Sequence, residues 1–343
     1  MTAERTTLIR ASAPTRIDLA GGTLDIWPLY AFHTGCTVNL AVDLRANVTL
    51  AIRRDYRAKI TSLDQQVEMA IDARRLRAMH MLPLIREVIL HFWQGRSGGF
   101  ELETSCEAPS GAGLGGSSAL AIALCAAFAR AAGRRLSPAQ RVGLARDVEA
   151  RVLGIPTGTQ DYYSAIYGGL NIIQLGPGVE RCIRARIDLH AVAARLVLVY
   201  SGTSRSSGIN NWEVVKERID GNRRVTQALS RIAVASVAMA EALANRSWDR
   251  FVDAMRGDWR ARMRLARGIL TPQMAAAIDV AKPKAQAWKA CGAGGGGCLV
   301  FACAPERKRS LIASLTEAGF RVLDFAPAAR GLAVSSRRMA RNS

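Results

Sequence analysis

Several common patterns are missing from this chain of 343 residues. Its seven cysteines (Cys36, Cys106, Cys125, Cys182, Cys291, Cys298 and Cys303) are odd in number, scattered, and without a Cys-x-x-Cys pair. That argues against a disulfide framework and a thiolate zinc site, and suits small, buried, reduced thiols. Four histidines are too dispersed to suggest a metal cluster. No apolar run reaches the roughly eighteen uninterrupted residues of a membrane helix. The first residues, Met-Thr-Ala-Glu-Arg-Thr-Thr, lack the apolar core of a signal peptide. The expectation is a cytoplasmic protein with no membrane partner. No Gly-Lys-Ser/Thr follows any glycine cluster, which argues against a P-loop fold.

Acidic residues are also scarce: 28 Asp and Glu against 47 Lys and Arg, for a net charge of +19. The excess is nearly all arginine and runs along the whole chain. There is no long basic block and no basic stripe interleaved with aromatics, and the densest spot is the tail at Arg337, Arg338 and Arg341. Nucleic acid is therefore not expected as the main partner, whereas anionic small molecules fit the charge. Binding to mixed-sequence DNA that survived physiological salt would reverse this reading, because purely electrostatic attachment weakens steeply with salt. A hydrophobic content of 49% supplies ample core for one large or two ordinary domains.

Coarse patterning gives an α+β reading. A β-like run over 7–20 ends at Gly21-Gly22, and 36–53 alternates like two strands. Residues 56–71 suggest another pair, and 80–94 an amphipathic helix. A strand at 100–107 leads into a glycine loop, and a long Ala/Leu helix follows to about 132. Ser137 and Pro138 open the next helix as N-cap and first residue, running to Leu153. A short helix is expected at 157–166, and the sheet restarts at 168–173. Strand 196–200 empties into a polar loop at 201–208. Helices dominate 211–290, then a strand at 298–301, a helix at 306–318 and a strand at 321–325 close the chain. The division into two lobes is expected near 185/186, giving parts 1–185 and 186–343.

Three loops carry chemistry. Pro109-Ser-Gly-Ala-Gly-Leu-Gly-Gly-Ser-Ser-Ala119 feeds directly into a helix start. Gly111, Gly113, Gly115 and Gly116 let the backbone approach an anion closely, and the helix end offers unpaired N–H groups and positive dipole. Pro109 and Leu114 frame this loop, and Ser117 and Ser118 stand where a metal-bound phosphate needs hydroxyls. In the second, Glu149 lies late on a helix and Asp161 follows the turn Gly154-Ile155-Pro156. They are either a solvated helix residue and a cap, or a pair that divides Mg²⁺ binding from action on a hydroxyl. In the third, five of the six residues 292–297 are glycine, just before an apolar strand. This is either a flexible linker or a backbone wall beside phosphates. Near the N-terminus, Asp25 is either a turn cap or an acceptor for sugar hydroxyls, and Arg16 either a surface charge or a fixed cation beside a moving phosphate.

Together these segments resemble the GHMP kinase superfamily. Pro109–Ser117 is similar to its motif Pro-x-x-x-Gly-Leu-Gly-Ser-Ser, with Gly116 in place of the first Ser. Within the superfamily the chain most resembles the heptose 7-phosphate kinase and sugar-1-kinase branch. Arg16–Asp25 lines up with Arg-Ile-x-Phe-Ala-Gly-Gly-Gly-Thr-Asp, with Thr23-Leu24 in place of Gly-Thr. Gly154–Tyr162 lines up with the branch's Gly-Ile-Pro-x-Gly-x-Gln-Asp-Gln, with Tyr162 in place of the second Gln, and the run Gly292–Gly297 is similar to its Gly-Ala-Gly-Gly-Gly-Gly.

The resemblance implies a two-lobed fold, ribosomal-protein-like then ferredoxin-like, with ATP at the glycine loop. It implies Ser117 (with Ser118 beside it) and Glu149 as Mg²⁺ ligands, Asp161 acting on the acceptor hydroxyl, and Arg16 and Asp25 near the acceptor. Gly21, Gly22, Gly294, Gly295 and Gly296 would flank the substrate, and Arg205 would help with a second phosphate. The expected activity is ATP-dependent phosphorylation of a sugar hydroxyl, a heptose 7-phosphate first, by a monomer or homodimer. Other readings are a mevalonate-type, galactose or fucose kinase, and a nucleotide- or sugar-sensing protein without turnover. Slow ATP consumption with tight ligand binding would mark the last.

Overall fold

The structure is a computed structural model that describes residues 5–202 and 207–340. Two long strands organise the first lobe. β1 (Arg5–Ala20) and β2 (Gly35–Arg53) pair antiparallel, with register shifts between Pro14 and Thr15 and between Asp18 and Ala20. These irregularities bend the pair, because an extra residue in a ladder raises the local twist. The short helix α1 (Leu29–Phe32) lies in the connection between them. The segment expected to form two strands at 36–53 is one strand, whose edge away from β1 has two partners in turn. It pairs with β5 (Gly99–Cys106) over Ala46–Arg53 and with β6 (Leu170–Gly176) over Gly35–Leu40. The bend lies where one pairing gives way to the other, and the sequence alone reads it as a break.

β3 (Arg57–Ser62) and β4 (Val67–Asp72) form a hairpin, and β7 (Val179–Arg184) pairs with β6. The main path of this eight-stranded sheet runs β12-β1-β2-β5-β3-β4. Here β12 is Ala333–Ala340, which pairs antiparallel with β1 along Arg5–Ser12. A strand from the far end of the chain therefore completes the first lobe, although the sequence reading stopped its strands at 325. β12 carries Ser335, Ser336, Arg337 and Arg338 on an exposed edge. Its backbone bonds, rather than an apolar pattern, hold it there. The expected division at 185/186 lies between β7 and the first strand of the second sheet.

That sheet runs β11-β8-β10-β9, antiparallel throughout, from β8 (Leu196–Tyr200), β9 (Ala287–Ala290), β10 (Cys298–Ala302) and β11 (Arg321–Leu323). β9 replaces what the sequence reads as the end of a helical region.

The helices position the site. α2 (Pro83–Trp93) and α3 (Gly116–Ala131) pack together over the first sheet. α3 is apolar on every side and buries Ser118 through Ala129, as a central core helix should. α4 (Pro138–Leu153) starts as the sequence dictates. Ser137 Oγ accepts from the Gln140 N–H at 3.2 Å, and Gln140 Oε1 accepts from the Ser137 N–H at 2.8 Å. α5 (Gln160–Tyr167) follows the turn at Gly154. The second lobe adds α6 (Leu189–Ala193), α7 (Ser207–Ile219), α8 (Arg223–Ala244), α9 (Trp248–Arg262), α10 (Pro272–Ala281) and α11 (Lys308–Glu317). By length and composition α8 is apolar enough to cross a membrane. It packs on α9 and β2, with half of its apolar window buried.

Candidate functional site

A cleft of about 450 Å³ opens between the lobes. Its floor is the loop 109–116 and the start of α3. Gly115, at φ +73°, is the N-cap residue, and no side chain caps this helix. The first N–H groups of α3 are thus left for a ligand. A Cβ on Gly115 would lie 2.8 Å from Cγ of Asp161, so glycine is required where the loop meets the acid. The run Gly292–Gly297 packs directly on the same loop. The Cys298 N–H donates to Ala112 O at 2.8 Å, and a Cβ on Gly113 would lie 2.4 Å from Cys291 O. Close backbone contact, not linker flexibility, accounts for the glycines here.

Asp161 sits in the first turn of α5. Arg16 from β1 binds it: Nε and Nη2 both lie 2.7 Å from Asp161 Oδ1. Arg16 Nη1 donates to Gly113 O, and its N–H donates to Leu114 O at 3.0 Å. One guanidinium therefore joins the acid to the glycine loop. Arg16 is 5% exposed and Asp161 20%. Burial raises the Asp161 carboxyl above the ordinary carboxylate range, and Arg16 opposes that rise. Burial disfavours the Arg16 charge, but Asp161 and Asp18 outweigh it and raise its pKa.

Glu149, late on α4, is buried and reaches the start of α3. Its Oε2 accepts from Ser118 Oγ at 2.7 Å and from Tyr162 Oη at 2.5 Å. Burial raises its pKa, and the hydroxyls of Ser117, Tyr162 and Ser118 counter the shift. The principal influences on this carboxylate include no cation. Among the described residues no group of three or more His, Cys, Asp or Glu is placed to hold a metal. The donor set is one buried carboxylate with hydroxyls beside a phosphate-type loop. That fits a hard divalent cation completed by substrate phosphates rather than an all-protein cage.

Asp25 lines the same cleft and caps α5 from a distance. Its Oδ2 accepts from the Thr159 and Gln160 N–H groups at 2.8 and 2.9 Å. Burial pushes its pKa up to about 6. The native state therefore holds the Asp25 proton more tightly than the unfolded chain does. This contribution is full below about pH 4 and is lost as pH rises through about 6. Asp25→Asn is expected to remove that fall, read as the difference between wild-type and variant melting temperatures from pH 4 to 7. A constant difference would refute it.

Of the residues singled out from sequence, Arg16, Asp25, Pro109, Gly111, Gly113, Leu114, Gly115, Gly116, Ser117, Ser118, Glu149 and Asp161 all line the cleft. Gly21, Gly22, Gly294, Gly295 and Gly296 lie outside its lining. The Gly21 N–H donates to Asp258 Oδ1 at 2.8 Å, Gly22 O accepts from Arg262, and Gly295 N–H donates to Ile269 O at 2.8 Å. Gly21, Gly22 and Gly294 make room for structure behind the site, where a Cβ would meet Cys36 O, Asp18 and Ile269 respectively. Arg205 lies outside the described residues.

The sequence reading noted Tyr162 and Thr23 only as departures from the family's motifs, and it missed a fully buried charge cluster. Lys289 Nζ lies 2.9 Å from both Asp18 Oδ1 and Asp258 Oδ2, and Arg262 lies 3.5 Å from Asp18 and 3.8 Å from Asp258. The one available signal was Asp258 and Arg262 at i,i+4 spacing on α9. Lys289 sits in the short strand β9 and opens the run 289–297 that resembles the superfamily's third motif, but nothing local points to its carboxylate partners.

Comparison with known proteins settles the family. The model "GHMP kinases N terminal domain" matches residues 83–169, and "GHMP kinases C terminal" matches 239–319. The chain belongs to the GHMP kinases. This GHMP kinase is 27% identical over 326 residues to the D-glycero-alpha-D-manno-heptose 7-phosphate kinase of Campylobacter jejuni, covering 92% of this chain and 96% of that one. It is 26% identical to the mevalonate kinase of Thermococcus sibiricus, covering 91% and 93%. Its fold matches the crystal structure of a D-glycero-D-manno-heptose 1-phosphate kinase from Bacteroides thetaiotaomicron. The TM-score is 0.78 at 22% identity, covering 95% of this chain and 98% of that one. ATP is the phosphoryl donor of the family.

Proposed function

We propose that this GHMP kinase transfers the γ-phosphoryl group of ATP to a sugar hydroxyl, the anomeric hydroxyl of a heptose 7-phosphate or a related sugar. The observation that carries the reading is the Arg16–Asp161 pair held against the glycine loop. Arg16 binds Asp161 Oδ1, and Oδ2 is assigned to orient the acceptor hydroxyl and take its proton. The hydroxyl oxygen then bonds to the γ-phosphorus, the bond to the β,γ-bridging oxygen breaks, and ADP leaves. The N–H groups of residues 115–118 and the Arg16 guanidinium balance the charge that develops. The 27% identity to a heptose 7-phosphate kinase supports the sugar class.

Mg²⁺ would be held by Glu149 with Ser117 or Ser118. When bound it would neutralise the β- and γ-phosphates. Glu149→Gln keeps the shape and removes the charge. It is expected to raise the Mg²⁺ concentration for half-maximal rate by at least about tenfold. An unchanged Mg²⁺ titration would take Glu149 out of that role.

The test of function is a panel of acceptors with ATP, read as ADP release. Heptose 7-phosphate, galactose, fucose and mevalonate are the arms. Turnover confined to mevalonate would replace the sugar reading by the alcohol reading, which the 26% identical mevalonate kinase favours.

A further inference from the structure

The loop after β1 contains a residue in a conformation its type avoids. Thr23 has φ +78°, in the left-handed region that β-branched residues rarely occupy. The motif that Arg16–Asp25 resembles has glycine at this position, which suits that backbone without strain. Strained residues persist where the surroundings force them, and they cluster at functional sites.

The surroundings here are specific. Arg262 Nη1 donates to Thr23 Oγ1 at 3.2 Å. The same guanidinium donates to Gly22 O at 2.6 Å and Gly292 O at 2.8 Å, and is 1% exposed. Asp18 and Asp258 hold Arg262 from behind, and Lys289 binds both carboxylates. A Cβ on Gly22 would lie 2.2 Å from Asp18 Oδ2 and 2.7 Å from Arg262 Nη2, so that residue has no side chain to offer. Thr23 is the first after the two glycines that does, and it lines the cleft two residues before Asp25. Its Oγ1 accepts from Arg262, and its own proton has no acceptor among the described residues.

We propose that Thr23 is a specificity-determining residue at the acceptor end of the cleft. Its methyl shortens the space for the acceptor, and its hydroxyl donates one hydrogen bond to an acceptor oxygen. Among the hydroxyl-rich sugars that the proposed reaction admits, it selects against added bulk at that point. Arg262 acts through Thr23 as a positioning residue. The inference rests on the sugar-kinase reading above.

Thr23→Gly and Thr23→Val separate bulk from hydrogen bonding. One methylene in a pocket is worth about 10–200-fold in selectivity. Thr23→Gly should therefore shift the kcat/KM ratio of heptose 7-phosphate to galactose upward at least about tenfold, with KM for ATP unchanged. Its melting temperature should not fall, because strain is relieved. Thr23→Val keeps the bulk and loses the donor, so the ratio should hold while KM for the acceptor rises. An unchanged ratio in the first variant, or an unchanged acceptor KM in the second, would overturn the proposal. The panel includes two branched alcohols of different size. Wild-type turnover of alcohols alone sinks the sugar reading, and an unchanged size ratio on those alcohols would still sink the role of Thr23. Turnover of no acceptor would overturn both.

Discussion

Asp161→Asn is expected to lower kcat by about 10²–10⁴-fold, the usual contribution of a positioned acid or base. The side chain keeps its shape, and the amide oxygen can still accept from Arg16, so the glycine loop should stay in place. What is lost is the oxygen that takes the proton. KM for ATP should change little. The melting temperature should not fall, because burial disfavours the charged form of Asp161 and the amide avoids that cost. Equal turnover by wild type and variant would remove Asp161 from the chemistry, whatever its geometry.

Lys289→Met should produce the largest loss of stability. Lys289, Asp18 and Asp258 are each 0% exposed, and the ammonium lies 2.9 Å from a carboxylate oxygen of both. Without it, two buried carboxylates share only Arg262. Breaking a buried pair in this way costs about 3–5 kcal/mol. The pH dependence gives a second readout. Burial pushes the Asp18 pKa up, but Lys289, Arg262 and Arg16 hold it below the ordinary value. Its ionisation therefore stabilises wild type above about pH 4, and that contribution is lost as pH falls. The stability gap between wild type and variant should be widest near neutrality and should narrow toward pH 4. Urea unfolding at both values measures it. A gap of under about 1 kcal/mol at pH 7 would mean that the cluster contributes no more than an exposed pair.

The parts of the site that were legible in the sequence are local. The glycine loop, the capping pair Ser137 and Gln140, and the turn before Asp161 each fit in a dozen residues. Each has a physical reason to be read there: positive φ, an orphan N–H, a helix end. Glu149 and Asp161 were legible as a pair because one short turn joins their helices. The bend in β2 was not, because a change of pairing partner leaves no mark in the alternation of one strand. Nor was β12, whose exposed edge carries no apolar pattern. Gly21 and Gly22 were visible as glycines, but their reason was hidden. Gly22 is small because Asp18 and Arg262 fill the space beside it.

Local sequence thus determined a glycine loop at a helix start, two acids on either side of one short turn, and the motifs through which the chain resembles its family. Tertiary structure alone decided which groups share a counter-ion. Arg16 meets Asp161 across 145 positions, and Lys289 meets Asp18 across 271. Charges so far apart in sequence become partners only when folding removes the water between them. Their coupling therefore belongs to the packed interior and to no segment of the chain.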